Sequence, residues 1–253
     1  MADKNSRTDD KNQLLIEHLI ELRSRLLRSI ISVLIVFLPL FYFANDLYRY
    51  ISEPLRVFLP EDSSMIATEV ASPFLTPFKL SLVLALFMAM PYILHQVWSF
   101  IAPGLNKKPT RHALPNIRSI NILIYKGICF SFLLGIPLVF GFFTSVAPTG
   151  VTIMTDINRY LDFVLKLFFA FGIAFEIPIA TLLLIWSGAT SAENLKRKRP
   201  YVVVGCFVIG MLLTPPDIIS QILLAIPMWG LFELGIIFSI LMNKRGKATS
   251  TPP

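Results

Sequence analysis

The sequence predicts an all-α, polytopic membrane protein, with six transmembrane helices in a single integral membrane domain over residues 1–253. Three observations predict it. Hydrophobic residues make up 55% of the chain and charged ones 15%, where a soluble domain carries roughly a quarter charged; mean hydropathy is +0.66. The apolar residues fall in blocks, most of them long enough for a helix to cross a bilayer core of about 30 Å. The basic residues collect in every second connector, as the positive-inside rule requires. The net charge of +7 therefore sets orientation, and no basic face of the kind that grips nucleic acid can be drawn.

Taken in order, residues 1–12 are polar and of mixed charge, which predicts a flexible cytoplasmic tail. Residues 14–28, LLIEHLIELRSRLLR, follow as an amphipathic helix. At 100° per residue, Leu15, Leu19, Leu22 and Leu26 share one face, and Glu17, Glu21, Ser24, Arg25 and Arg28 share the other. The helix leads into a first span at 26–45 that has no small-residue cleavage site, so it reads as a retained anchor. Further spans are predicted at 75–97, 120–142, 161–187, 200–214 and 217–241, with a second cytoplasmic tail at 243–253.

The connectors orient these spans. Lys4, Arg7, Lys11, Arg23, Arg25 and Arg28 precede the first. Lys107, Lys108 and Arg111 lie between the second and third, Lys196, Arg197, Lys198 and Arg199 between the fourth and fifth, and Lys244, Arg245 and Lys247 after the sixth. The alternate connectors hold only Arg49, Arg56 and Arg159. The pattern predicts both termini in the cytoplasm.

Proline falls inside every span but the fifth, at Pro39, Pro91, Pro137, Pro178 and Pro227. Each removes a helix hydrogen bond, which predicts kinked helices enclosing a concave face. The fifth span, YVVVGCFVIGMLL at 201–213, is short, about 20 Å of helix. It must thin the bilayer locally or sit low in it. Asp217, after Pro215 and Pro216, is a candidate N-cap for the sixth helix.

Few residues offer chemistry. Glu176 sits in the middle of AFGIAFEIPIATLLL, where a carboxylate costs at least about 2.5 kcal/mol and faces a bundle interior or a wet cavity. It is either a protonated, hydrogen-bonded core residue or a functional polar spot. Glu233, deep in the sixth helix, and Gln96, near the inner end of the second, join it as candidates for a concave face that receives a partner helix. The 14–28 helix has two readings. Lipid headgroups account for its arginines, but two acids one turn apart are repelled by an anionic membrane surface, so a binding role for Glu17 and Glu21 stands open beside the interfacial one. No Walker-type glycine loop, HExxH, paired-cysteine site or nucleophile elbow occurs, which points away from an enzyme and from any cofactor or metal.

HLIELRSRL (18–26), SPF (72–74), PYILHQVWSFIAPGL (91–105), YLDFVLKLFFAFGIAFEIP (160–178), KRPYVV (198–203) and GMLLTPPDIISQILLAIPM (210–228) together resemble TatC, the multispanning core of the twin-arginine protein translocase, in its enterobacterial form. The resemblance runs colinearly from about residue 14 to 240. It implies six helices in a curved, glove-like wall in the bacterial inner membrane, self-associating in a complex with TatA/TatB-type single-span partners. It implies recognition of twin-arginine signal peptides on folded cargo, with transport driven by the proton motive force. On the same ground the signal-peptide site comprises Glu21, with Glu17, Lys107, Lys108 and Arg111. Glu176 marks the concave face, and Glu53, Pro54 and Asp217 help form a periplasmic cap.

One stretch departs from the family pattern. Where the family usually shows a glutamate in the first cytoplasmic loop, this chain reads GLNKKPTR and places Pro109 there. Two explanations compete: Glu17 takes over as second acceptor, or the site has weakened. The alternative function weighed against the receptor is an ion-coupled secondary transporter with Glu176 and Glu233 as proton carriers. The absence of an internal repeat counts against it.

Overall fold

A computed structural model describes residues 3–57, 64–105, 113–146, 154–186, 190–214 and 218–248. These are helical almost throughout: α1 (Asp3–Tyr42), α2 (Ala44–Arg56), α3 (Ser72–Leu105), α4 (Ala113–Phe130), a π-helical turn (Ser131–Gly135), α5 (Ile136–Ser145), α6 (Ile157–Ala174), α7 (Ile177–Trp186), α8 (Ala192–Arg197), α9 (Arg199–Leu213) and α10 (Ile218–Ala248). Five segments are long and apolar enough to cross a membrane: Leu19–Tyr42, Ser72–Val97, Ile120–Ser145, Ile157–Leu182 and Ile218–Leu241; α9 is a shorter apolar helix. Together they correspond to the six predicted spans.

Four boundaries differ from the sequence reading, each for a local reason. The polar residues from Asp3 onward continue the helix of residues 14–28, so α1 is one helix where a tail was expected. Likewise α10 runs to Ala248, past the expected start of the second tail at 243. The third span absorbs Pro137 by widening. Ile136 N–H bonds to the Ser131 carbonyl five residues back, and Pro137 enters α5 in its first turn, where no amide proton is needed. The fourth span is broken. Pro178 has no N–H for the Ala174 carbonyl, so α6 closes with Glu176 N–H on the Ile173 carbonyl at 3.0 Å. α7 then restarts with Ala180 N–H on the Glu176 carbonyl at 2.9 Å.

The chain divides into two compact units, Met1–Tyr48 with Pro77–Asn121, and Arg49–Thr76 with Ile122–Pro253. In the first, α1 meets α3 through an aromatic cluster. Phe78 lies edge-on to Phe37 and Phe41 at centroid distances of 5.4 and 5.7 Å, and Ser81 Oγ donates to the Leu40 carbonyl of α1 at 3.4 Å. No residue in the apolar window of the first span is buried within the protein, as suits a helix surrounded by lipid.

In the second unit α10 packs along α7 and α9, and α4 crosses α6. A Cβ on Gly127 would overlap the Phe171 carbonyl, and one on Gly235 would overlap Thr181 Oγ1. Both glycines therefore allow backbone approach that no larger residue permits, the usual device of helix packing in lipid. Leu195, Phe232 and Ile236 form a buried cluster, flanked by Ile177, Ile185, Val202 and Ile240.

The end of this unit where α6 begins is held by polar contacts. Asp156 caps α6, accepting from Asn158 N–H at 2.9 Å and Arg159 N–H at 3.0 Å. Its other oxygen accepts from the Thr68 N–H at 3.0 Å and the Thr68 hydroxyl at 2.6 Å. Beside it, Ile66 N–H bonds to the Thr155 carbonyl and Ile157 N–H to the Ile66 carbonyl. The buried Tyr160 hydroxyl donates to the Ile51 carbonyl of α2 at 2.7 Å.

Candidate functional site

Glu21 lies on the polar face of α1, which the Leu/Glu/Arg spacing of residues 14–28 creates. Its Oε1 accepts from Arg25 Nε at 2.9 Å and Arg25 Nη2 at 2.5 Å, so one carboxylate oxygen takes two prongs of a guanidinium. The pair borders an open hollow of about 400 Å³ lined by Ile20, Glu21, Ser24, Arg25 and Arg28. The Glu21 side chain is 40% exposed and that of Arg25 22%, so the carboxylate is the more accessible member. Glu17 lies one turn earlier on α1. Lys107, Lys108, Pro109 and Arg111 fall outside the described residues.

Glu176 occupies the break between α6 and α7. Its Oε1 is buried and has no hydrogen-bond partner among the described residues. The break gives a carboxylate and freed backbone groups to an otherwise apolar span, and such groups must be met by protein or water inside a membrane. Phe175, next to it, packs against Phe130 at 5.5 Å, and Thr181 hydroxyl donates to the Pro178 carbonyl at 2.8 Å.

The other predicted residues separate from this one. Glu233, expected on a partner-binding face, accepts from Arg199 Nη2 at 2.6 Å, an intramolecular pair joining α9 to α10. Gln96, on α3 in the first unit, is buried with its Oε1 unsatisfied among the described residues. In α2, Glu53 is exposed and Pro54 half-buried, while Ser52 and Leu55 are the buried residues. Asp217 lies outside the described residues.

Three residues were missed from the sequence. Arg25 also suits lipid headgroups, but its i,i+4 spacing from Glu21 signals the pair that forms. Asp156 carries a readable N-cap signature ahead of an apolar run. Arg199 could not have been matched to Glu233, because 34 residues separate them and no periodicity relates one to the other.

With this geometry in view, comparison with known proteins is specific. The family model described as Sec-independent protein translocase protein (TatC) matches residues 17–227. A protein of that description from Azotobacter chroococcum mcd 1 is 58% identical over 93% of this chain and 92% of its own length. One from Escherichia coli K12 is 54% identical over 94% and 92%. One from Aquifex aeolicus is 36% identical over 92% and 97%. A crystal structure described as the twin arginine translocase receptor TatC superposes with a TM-score of 0.76 at 36% identity, covering 88% of this chain and 98% of that one.

Proposed function

The chain belongs to the TatC family of Sec-independent protein translocase proteins, and from that premise we propose that it is the signal-peptide receptor and core scaffold of a twin-arginine translocase. It lies in the bacterial inner membrane with both termini in the cytoplasm. It works with TatA/TatB-type single-span subunits to export folded proteins at the expense of the proton motive force. The chain then acts by binding and holding rather than by catalysis.

The observation that carries the assignment of the site is the Glu21–Arg25 pair. A carboxylate on an exposed helix face already accepts one guanidinium through two N–H groups. A signal peptide presenting two adjacent arginines offers the same fork, and exchange of Arg25 for a peptide arginine leaves no charge unpaired at Glu21. Lysine, a point charge without the fork, reproduces that contact poorly. Glu17, Lys107, Lys108 and Arg111 complete the proposed surface. Glu176, with one oxygen unsatisfied at a helix break, supplies a polar contact for a partner helix, and Gln96, in the other unit, is assigned the same kind of role. Such contacts in lipid are worth only about 0.6–2 kcal/mol, which suits a partner that comes and goes. Glu233 belongs to the same group from its depth in the span, with Arg199 as its resting partner. Glu53, Pro54 and Asp217 are assigned to the periplasmic cap.

The test is export of a folded reporter in bacteria lacking their own TatC, supplied with this chain and matched partner subunits. Reporters with Arg-Arg and Lys-Lys signals are compared. Export of the Arg-Arg reporter alone is expected. Glu21→Ala should weaken binding of a twin-arginine peptide about 10- to 100-fold, the worth of a lost hydrogen bond to a charged group, while leaving membrane insertion intact. Wild-type binding by that variant would refute the role given to Glu21. Glu176→Gln should lower partner recruitment without changing peptide binding.

A further inference from the structure

α8 and α9 meet at a corner that carries four consecutive basic residues, Lys196 to Arg199. Ser191 caps α8 by accepting from Asn194 N–H, and Lys198 closes it, its N–H bonding to the Asn194 and Leu195 carbonyls at 3.2 and 3.1 Å. Leu195 is buried in the cluster with Phe232 and Ile236, so the six-residue α8 is pinned by its apolar side to α10. That leaves Lys196, Arg197 and Lys198 exposed and next to one another. Of the four consecutive basic residues, only Arg199 has a carboxylate partner among the described residues, being turned onto Glu233. The single acid on α8, Glu193, sits in its first turn.

Two further features concern what these three cations meet. α9 has 15 residues, about 22 Å of helix, against a hydrocarbon core of about 30 Å. A helix of that length cannot reach both ordinary headgroup planes, so the bilayer thins around it or it sits low, toward the side that carries the basic residues. Tyr201, in the first turn of α9, is 79% exposed, the position of an aromatic residue at a membrane interface. The positive end of the α9 dipole adds to the same field.

We propose that the α8–α9 corner is a binding site for the phosphodiester headgroup of an anionic phospholipid, taken up by Lys196, Arg197 and Lys198 at the start of the short α9. The occupant is a lipid rather than an acidic protein segment. The cations stand beside an exposed apolar helix and an interfacial tyrosine, so a ligand carrying both a phosphate and acyl chains satisfies both surfaces. The site is independent of the receptor role assigned to Glu21.

The experiment uses the full chain in phosphatidylcholine nanodiscs doped with phosphatidylglycerol. Retained lipid is counted by native mass spectrometry after release. K196Q/K198Q combined with Arg197→Gln is expected to weaken phosphatidylglycerol retention about tenfold, leaving phosphatidylcholine unchanged; the Lys196→Arg/Lys198→Arg variant, of unchanged charge, should retain it. Neutralising Lys244, Arg245 and Lys247 at the end of α10 removes the same charge elsewhere and should have little effect. An equal loss from both triple variants would overturn the site in favour of a diffuse surface potential. Displacement of the lipid by inorganic phosphate alone would overturn its lipid identity. Unchanged lipid retention with lost capture of an acidic peptide would overturn it in favour of a protein ligand. Circular dichroism of each variant separates loss of binding from loss of fold, and Lys196, Arg197 and Lys198 are exposed.

Discussion

Asp156 joins two segments that are distant in sequence. One oxygen starts α6 by accepting from Asn158 and Arg159 N–H, and the other holds Thr68 by backbone and hydroxyl. The Thr68 hydroxyl, followed by the Arg159 and Thr68 amides, holds the carboxyl below its ordinary value of 3.8, down to about 2. A carboxyl depressed in the folded state contributes stability that is complete above about 3.8 and is lost as the pH falls through about 2. Protease resistance of the 64–68 strap should therefore hold from neutral pH to about 4 and drop below it. Asp156→Ala should flatten that dependence and cost about 1 kcal/mol or more from the cap alone. A strap that stays equally protected at pH 2 in the wild type would show that the carboxylate does not hold it. The cap itself is readable from TDIN at 155–158; its partner, 88 residues away, is not, because tertiary contact leaves no local pattern. Glu21 and Arg25 are the opposite case, since both partners lie on one helical face.

Proline and glycine decide the helices where hydropathy is silent. A hydropathy window sees one fourth span; the break at Phe175–Glu176 arises from a missing amide at Pro178, and the same loss at Pro137 is absorbed by a π turn. Pro39 and Pro227 remain inside continuous α1 and α10, so the residue type alone does not choose among kink, bulge and break. Which glycines matter is likewise set by what faces them. On α10, a Cβ at Gly235 would meet Thr181 Oγ1 and come within 2.9 Å of the Pro178 Cα, while at Gly230 it would meet nothing within 4 Å. Gly235→Ala should destabilise the α7–α10 contact by about 1–3 kcal/mol through overpacking. Gly230→Ala should be neutral or stabilising, by up to about 1 kcal/mol, as helix propensity favours alanine. Thermal unfolding of the two variants in detergent compares them directly, and equal midpoints would mean that α10 shifts to relieve the contact.

At the scale of the molecule, span number and connector charge were legible because the bilayer imposes length on every crossing segment and the charge rule acts on every connector. The proposed receptor site is legible only in part. Glu21 stands on a face that periodicity defines, but a site selective for two arginines needs a second acceptor. The position where the family usually places one holds Pro109. Proline supplies no acceptor beyond its carbonyl and removes an amide. The sequence around Pro109 carries Lys107, Lys108 and Arg111, three cations whose charge opposes a second guanidinium. Pro109→Glu replaces that deficit with a carboxylate among three cations. If Glu17 already serves as second acceptor, the substitution should change twin-arginine peptide binding by less than about threefold, and Glu17→Gln should weaken it about as much as Glu21→Ala. If it does not, Pro109→Glu should tighten binding about tenfold, the gain of one charge-assisted hydrogen bond, and Glu17→Gln should be nearly silent. Peptide titration against the four proteins distinguishes the two, because the substitutions at 17 and 109 move in opposite order under the two arrangements.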